Sequence, residues 1–461
     1  MNIPDTCQFG KRKHKQKNNA GVGKPTLAKY LLDFRRAKMS KIYTSAIIGC
    51  GSRGWLFGCR MMELPDKYKV VAVCDIDATV RKNAKKEYGL TDENLYADEN
   101  EFFKQKRADV LVIATQDRDH VRMCVKAMEL GYDILMEKPI SPFADEINAL
   151  LEANKKYNRK VVVCHVLRYA PAYIKMKELL DSGELGALIH IENTEQVHYW
   201  HQAHSFVRGN WRNEDLSSPM IMQKCCHDFD MLQYLASSRC DTIYSVGRTA
   251  YFKKENQPKD AADRCKDCKY KLDCAYSAER IYIERWKKQN CPEYEWPYNV
   301  VCTEIPNTEE KIRKAYENGQ YGRCVFACDN NVVDNQQVLM TFENGVTASH
   351  TMSAFTGRMG RRMTLHCTLG EIELAEDADT LTIYRFGKEK EVIKVSSLRK
   401  ETDGMGHGGG DTRLVKTLYD IIESGKEAST TLEKSVESHL MAFAAEKSRH
   451  TGTIVKVHEE A

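Results

Sequence analysis

No run of about 18 uncharged apolar residues occurs anywhere in the 461 positions, which excludes a helix that spans a bilayer. The basic N-terminus lacks the apolar stretch of a secretory signal. A reducing, cytoplasmic setting follows for the 17 cysteines, where clustered thiols read as free thiols or metal ligands before disulfides. A phosphate loop is missing as well. Gly21-Val-Gly-Lys-Pro-Thr has Asn18 where the first glycine of that motif belongs, and Pro25 follows its lysine. There is no G-x-S-x-G elbow, so Gly404-Met405-Gly406-His407-Gly408-Gly409-Gly410 is not an esterase oxyanion loop. A Gly-rich loop near the substrate mouth, with His407 able to touch substrate, fits better. Excess positive charge is absent from the body of the chain. Residues 1–40 hold ten Lys/Arg and two Asp, so the net +4 conceals +8 in this tail and −4 in the other 421 residues. Such a body has no field that favours nucleic acid.

The length suggests two or three domains. With 42 % apolar and 29 % charged residues, collagen-like and wholly disordered readings fail. Residues 1–40 read as a basic, disordered tail. Met39 stands just before the first predicted strand, and translation from it is an expectation that intact mass would test.

From residue 42 the chain alternates strand and helix. Ala46-Ile47-Ile48 runs straight into Gly49-Cys50-Gly51-Ser52-Arg53-Gly54. In G-x-G-x-x-G the first glycine permits the tight turn and the second lets the backbone approach a pyrophosphate. The third lets the helix pack close to the strand. Val70–Cys74 is a second buried-type strand and ends in Asp75, 21 residues after Gly54. A carboxylate there accepts from a ribose diol and repels a 2′-phosphate, which favours NAD over NADP. Val110–Ile113, Ile134–Met136 and Val161–Val163 continue the series. The pattern predicts α/β architecture, a parallel sheet with helices on both faces.

Thr115-x-x-x-x-His120 followed by Glu137-Lys138-Pro139 at a strand end resembles the glucose–fructose oxidoreductase / inositol dehydrogenase / MocA-like (Gfo/Idh/MocA) family, from about residue 42 onward. The resemblance implies a Rossmann domain at 41–164. It also implies a substrate-binding and oligomerisation α/β domain at 165–461, with an open, mostly antiparallel sheet. Gly49, Cys50, Gly51, Ser52, Arg53, Gly54, Asp75, Thr115, His120, Glu137 and Lys138 are its expected cofactor-binding positions, with Lys138 beside the nicotinamide. Chemistry gives an independent reason for Lys138. Oxidising an alcohol removes a hydride and a proton; a cation stabilises the alkoxide, and a nearby base takes the proton.

Many members carry G-G-x-x-x-D-x-G-x-H-x-x-D in the second domain. Here His227 and Asp230 match, but Gln223 stands at the usual catalytic aspartate, with Lys224 beside it. The expected catalytic set is Lys138, His227 and Lys224, and the expected substrate set is His165, Arg168, Tyr169, Lys224 and Asp230. His198, His201 and His204 read as pocket or core rather than metal ligands.

In the second half, Ala170–Ser182 reads as a helix, and Val338–Phe342 and Val346–Met352 as a hairpin around Asn344-Gly345. Asp411 is expected to cap a helix over Thr412–Ser424, and Thr430-x-x-Glu433 to box the last helix. An insert at 253–330 is cysteine-rich. Cys265-x-x-Cys268 with Cys274 suggests a structural zinc or iron–sulfur site, although a second C-x-x-C is missing. Asp329 and Asp334 are candidates for hydroxyl recognition.

The leading expectation is an NAD-dependent oxidoreductase acting on a sugar, polyol or glycoside. The alternatives are an NAD-dependent redox-neutral glycosidase, which oxidises, eliminates, hydrates and reduces again, and a non-catalytic NAD-binding regulator. A homo-oligomer, dimer or tetramer, is expected, because an open sheet face needs covering.

Overall fold

A computed structural model describes residues 41–404 and 406–458. The basic tail and Met39 lie outside them. Two sheets organise the chain. The first has strands β1 (Tyr43–Ile48), β2 (Tyr68–Cys74), β3 (Leu95–Tyr96), β4 (Val110–Ile113), β5 (Asp133–Met136) and β6 (Val161–Val163). Their order is β3-β2-β1-β4-β5-β6, and every pairing is parallel. Alternation along β1 sends Ile47 to one face and Ala46 and Ile48 to the other. Helix Ser52–Met62 covers the first face and helices His120–Glu129 and Ala144–Tyr157 the second.

The second sheet has strands β7 (Leu188–Gln196), β8 (Cys240–Arg248), β9 (Asn335–Phe342), β10 (Thr347–Ser353), β11 (Gly360–Cys367), β12 (Gly370–Ala375), β13 (Thr380–Arg385), β14 (Glu391–Lys394) and β15 (Val455–Lys456). Their order is β14-β13-β12-β11-β7-β10-β9-β8-β15. All neighbours are antiparallel except β7 and β10. The expected hairpin is β9–β10, with Gly345 at φ +86°. One face packs on helices Pro171–Asp181, Cys226–Ala236 and Leu432–Thr451. The other leaves Ile189, Tyr244, Val246 and Leu339 exposed.

Two helix starts differ from expectation. Gly409, not Asp411, precedes helix Gly410–Ser424, and Asp411 lies inside its first turn. The last helix is capped by Thr431, which accepts from the Lys434 N–H, one residue beyond the expected Thr430. Helix Gly410–Ser424 also returns to the first sheet, where Leu414, Val415 and Leu418 join the core around Ile47. The insert shares an aromatic core with the segment around Trp200, in which Trp200, Phe252, Tyr282, Tyr298 and Phe326 pack together. It reaches the first sheet's helices through a Trp55–Tyr294 ring contact at 5.2 Å and an Asn83 Nδ2 bond to Thr303 O at 2.7 Å.

Candidate active site

The hexapeptide after β1 is shaped as its sequence requires. Gly49 has φ +78°, and a Cβ there would lie 2.6 Å from Ala114 O. A Cβ on Gly54 would meet Gly49 O at 2.1 Å, so helix and strand touch there. Gly51 has open space around it, and no side chain caps the helix that follows. Its first N–H groups therefore face an approach that a diphosphate can fill. Asp75 accepts from the Cys50 N–H at 2.7 Å and the Asp77 N–H at 2.8 Å. Burial raises its pKa, and these two donors act against the rise. Cys50 offers its backbone only; its buried thiol is pushed up to about 12 by burial and by Asp75. Ile76, next to Asp75, is 92 % exposed. These residues fit a dinucleotide.

At the carboxyl end of β5, Arg53 Nε donates to Glu137 at 2.6 Å, and Glu137 accepts the Lys138 N–H at 3.0 Å. Burial alone would raise the Glu137 carboxyl, but Arg53 and Lys138 hold it below its ordinary value. Lys138 Nζ donates to Gln223 O at 2.7 Å, which ties the two sheets' domains together at the crevice. His120 is buried, with Nδ1 2.7 Å from Pro139 O and Nε2 3.2 Å from Thr115 O. It links these two loops rather than facing the crevice. The Thr115 hydroxyl donates to Met123 Sδ at 3.6 Å.

His227, in the first turn of helix Cys226–Ala236, is buried, and its Nδ1 has no partner. Burial, with Lys138 and His407 nearby, holds its pKa well below 6.5, so the ring is a neutral base at physiological pH. Lys224 Nζ lies 3.2 Å from Glu195, which also pairs with Arg361 at 2.8 Å. Lys138 Nζ thus reaches the backbone next to Lys224, and Lys138 acts electrostatically on His227. The other expected substrate residues are not free. Arg168 makes a two-pronged pair with Asp230 at 2.9 and 2.7 Å, and both are buried. The Tyr169 hydroxyl meets that of Thr430 at 2.9 Å, and His165 is fully buried. Asp329 pairs with Arg212 and Arg323, and buried Asp334 accepts from the Ala250 and Tyr251 N–H groups. His204 is core, hydrogen-bonded to the Tyr282 hydroxyl at 3.0 Å.

Sequence reasoning missed one partner set. Asp411 accepts from Arg53 at 2.8 Å and lies 2.9 Å from His407 Nδ1. Burial would raise Asp411, but Arg53 and His407 hold it well below the carboxylate range. His407 has φ +44°, rare for a side-chain-bearing residue, and its ring stands 5.6 Å from that of His227. The available signal was a His and an Asp four residues apart in a glycine run, which read as loop plus cap.

Among the described residues, no group of three or more His, Cys, Asp or Glu stands around one point so as to hold a metal ion. The zinc or iron–sulfur expectation on Cys265, Cys268 and Cys274 thus finds no preformed ion site. The described cysteines, sixteen in all, are free of disulfides.

Residues 43–165 match the oxidoreductase family with NAD-binding Rossmann fold, and residues 177–457 match that family's C-terminal alpha/beta domain. YteT of Bacillus subtilis, an oxidoreductase by name, is 22 % identical over 400 residues, 81 % of this chain and 88 % of its own. Inositol 2-dehydrogenase of Salmonella typhimurium is 26 % identical over 200 residues, 43 % of this chain and 56 % of its own. Among solved structures, a levoglucosan dehydrogenase complex with NADH and levoglucosan superposes with TM-score 0.67 at 16 % identity. The match covers 91 % of this chain and all of the other, and it speaks for the fold. With both family regions matched in order over most of its length, the chain belongs to the Gfo/Idh/MocA family of NAD-binding oxidoreductases.

Proposed function

We propose that this protein moves a hydride between NAD and a hydroxyl-bearing carbon of a sugar, polyol or glycoside. The observation that carries the reading is Lys138. Its amino group is anchored to Gln223 O, four residues before the buried, neutral His227, at the mouth of the dinucleotide crevice. Bound NAD supplies the hydride acceptor. The Lys138 ammonium stabilises the developing alkoxide, and the His227 ring takes the hydroxyl proton. Lys224, steadied by Glu195, is placed to donate to a neighbouring hydroxyl. Arg53 and Glu137 orient Lys138 from behind. Asp75 favours NAD over NADP, because its carboxylate repels a 2′-phosphate.

One observation favours a second reading. His407, held by Asp411 beside His227, adds a proton-transfer group that simple hydride transfer does not need. Elimination and hydration of a glycoside need it, so a redox-neutral glycosidase stands as the rival. A panel of free sugars, polyols and chromogenic glycosides with NAD⁺ separates the two when NADH and aglycone are read in the same samples. Net NADH without release supports the dehydrogenase. NAD-dependent release without net NADH supports the glycosidase. Inactivity with every class would count against both and leave the regulator.

The proposed setting is a reducing compartment; among the described residues no helix is long and apolar enough to cross a membrane. Exposed Ile189, Val246 and Leu339 on the second sheet support pairing of copies through that face, which light scattering tests.

A further inference from the structure

We propose that Cys265, Cys268, Cys274 and Cys324 form a thiolate-ligated metal centre in the insert, distinct from the active site. The metal is a thiophilic one, a zinc ion or an iron–sulfur cluster. All four line one small pocket of about 40 Å³, whose walls include no Asp or Glu. The sequence singled out the first three of them. The fold supplies the fourth: Arg264 and Arg323 form an antiparallel bridge, and the Cys324 N–H donates to Asp263 O at 2.8 Å, which sets Cys324 beside the Cys265 turn. That turn is closed by the Cys268 N–H on Cys265 O at 3.3 Å.

Several donors are aimed at the sulfurs. Cys265 Sγ accepts from the Ala278 N–H at 3.5 Å and from Arg208 Nη2 at 3.5 Å, and its thiol donates to Arg323 O at 3.8 Å. Gln257 Nε2 adds a donor to Cys324 at 3.8 Å. A neutral thiol is a weak acceptor, so this many donors aimed at sulfur suit thiolates.

Arg208 is the second, independent observation. It is 1 % exposed, it lines the pocket, and its Nη1 has no partner. Its other nitrogens reach Arg323 O, Tyr276 O and Cys265 Sγ, and among the described residues no carboxylate pairs with it. A buried guanidinium without a counter-ion is costly. Four thiolates around a divalent metal carry a net −2 and supply the missing charge.

Binding Zn²⁺ forms four Zn–S bonds and releases four protons; no electron moves. A preassembled cluster exchanges its ligands for the same four thiolates, again with loss of their protons. The sulfurs do not yet surround one point, so binding draws them together. Lys266, Asp267, Lys269, Lys271, Leu272 and Asp273 between them are exposed, so the loop closes without disturbing a packed core.

The test is metal, iron and acid-labile sulfide analysis of the full chain, purified without oxygen or chelator from metal-supplemented cells. About one zinc per chain, or iron matched by sulfide with visible absorbance, supports the proposal and names the metal. C265S and C324S are expected to lose at least tenfold of that metal. C291S, at an exposed cysteine outside the pocket, and C328S, whose thiol donates to Cys324 O at 3.2 Å, are expected to keep it. Should the serine variants fail to fold, the wild-type analysis still decides. Wild-type protein with under about 0.1 metal per chain, and no uptake from zinc or from iron and sulfide under reductant, overturns it.

Discussion

Replacing Arg53 with Met removes a cation that Glu137 and Asp411 share. Arg53 lies 2.6 Å from the first and 2.8 Å from the second. Their side chains are 6 % and 1 % exposed, against 28 % for Arg53, so water cannot take over the pairing. Breaking a buried pair from one side costs about 3–5 kcal/mol. Lys138 still acts on Glu137 and His407 on Asp411, so the lower end, about 3 kcal/mol, is expected. At about 2.1 cal/mol/K per residue over about 400 residues, the unfolding entropy is about 0.8 kcal/mol/K, and Tm falls by about 4 °C. The pH dependence is the sharper test. In the wild type both carboxyls are held below their unfolded values. Their contribution is present above about pH 4 and is lost as pH falls. In Arg53→Met, buried carboxyls without that cation shift upward. Their folded form is then favoured below about pH 4 and loses stability as pH rises. The Tm gap between the two proteins should therefore widen from pH 4.5 to 7.5, measured by calorimetry without NAD. A gap under about 1 °C, or one independent of pH, refutes the reasoning.

Lys138→Met is expected to lower NADH formation by about 10²–10³ while NAD binding, read by fluorescence, changes little. His227→Asn should abolish the base step. Because burial and Lys138 hold this ring neutral, the wild-type kcat/KM profile should show no His227 limb near pH 6.5. Asp75→Ser should narrow the preference for NAD over NADP by at least about tenfold in Kd, since the repelling carboxylate is gone. Gly54→Ala places a Cβ 2.1 Å from Gly49 O, and loss of both NAD binding and thermal stability is expected.

Much of the first domain was legible because its signals are local. A buried parallel strand must be apolar along its length, and a tight turn against a pyrophosphate must be glycine, so β1, β2, β4 and the hexapeptide announced themselves. Strands β7 and β8 did not. The alternating polar residues of Leu188–Gln196 and Cys240–Arg248 face outward, and that pattern is weaker than a continuous apolar run. The buried roles of Arg168 and Asp230 were invisible for a different reason: their partners are 62 residues apart, and a charged side chain looks alike in sequence whether it meets substrate or counter-ion.

The sequence by itself determined the chemistry that lies within a few residues of chain: the glycine turn, Asp75 at a strand end, Lys138 before Pro139, and the NAD-binding family these imply. Tertiary structure alone decided what those groups meet. It brought Gln223 O to Lys138, Asp411 to Arg53 across 358 positions, His407 to His227, and Cys324 to the Cys265 turn. Local preferences act over one or two turns of backbone. The Arg53–Asp411 pairing is fixed by how helix Gly410–Ser424 folds back onto the first sheet, and only the packing of the whole core sets such pairings.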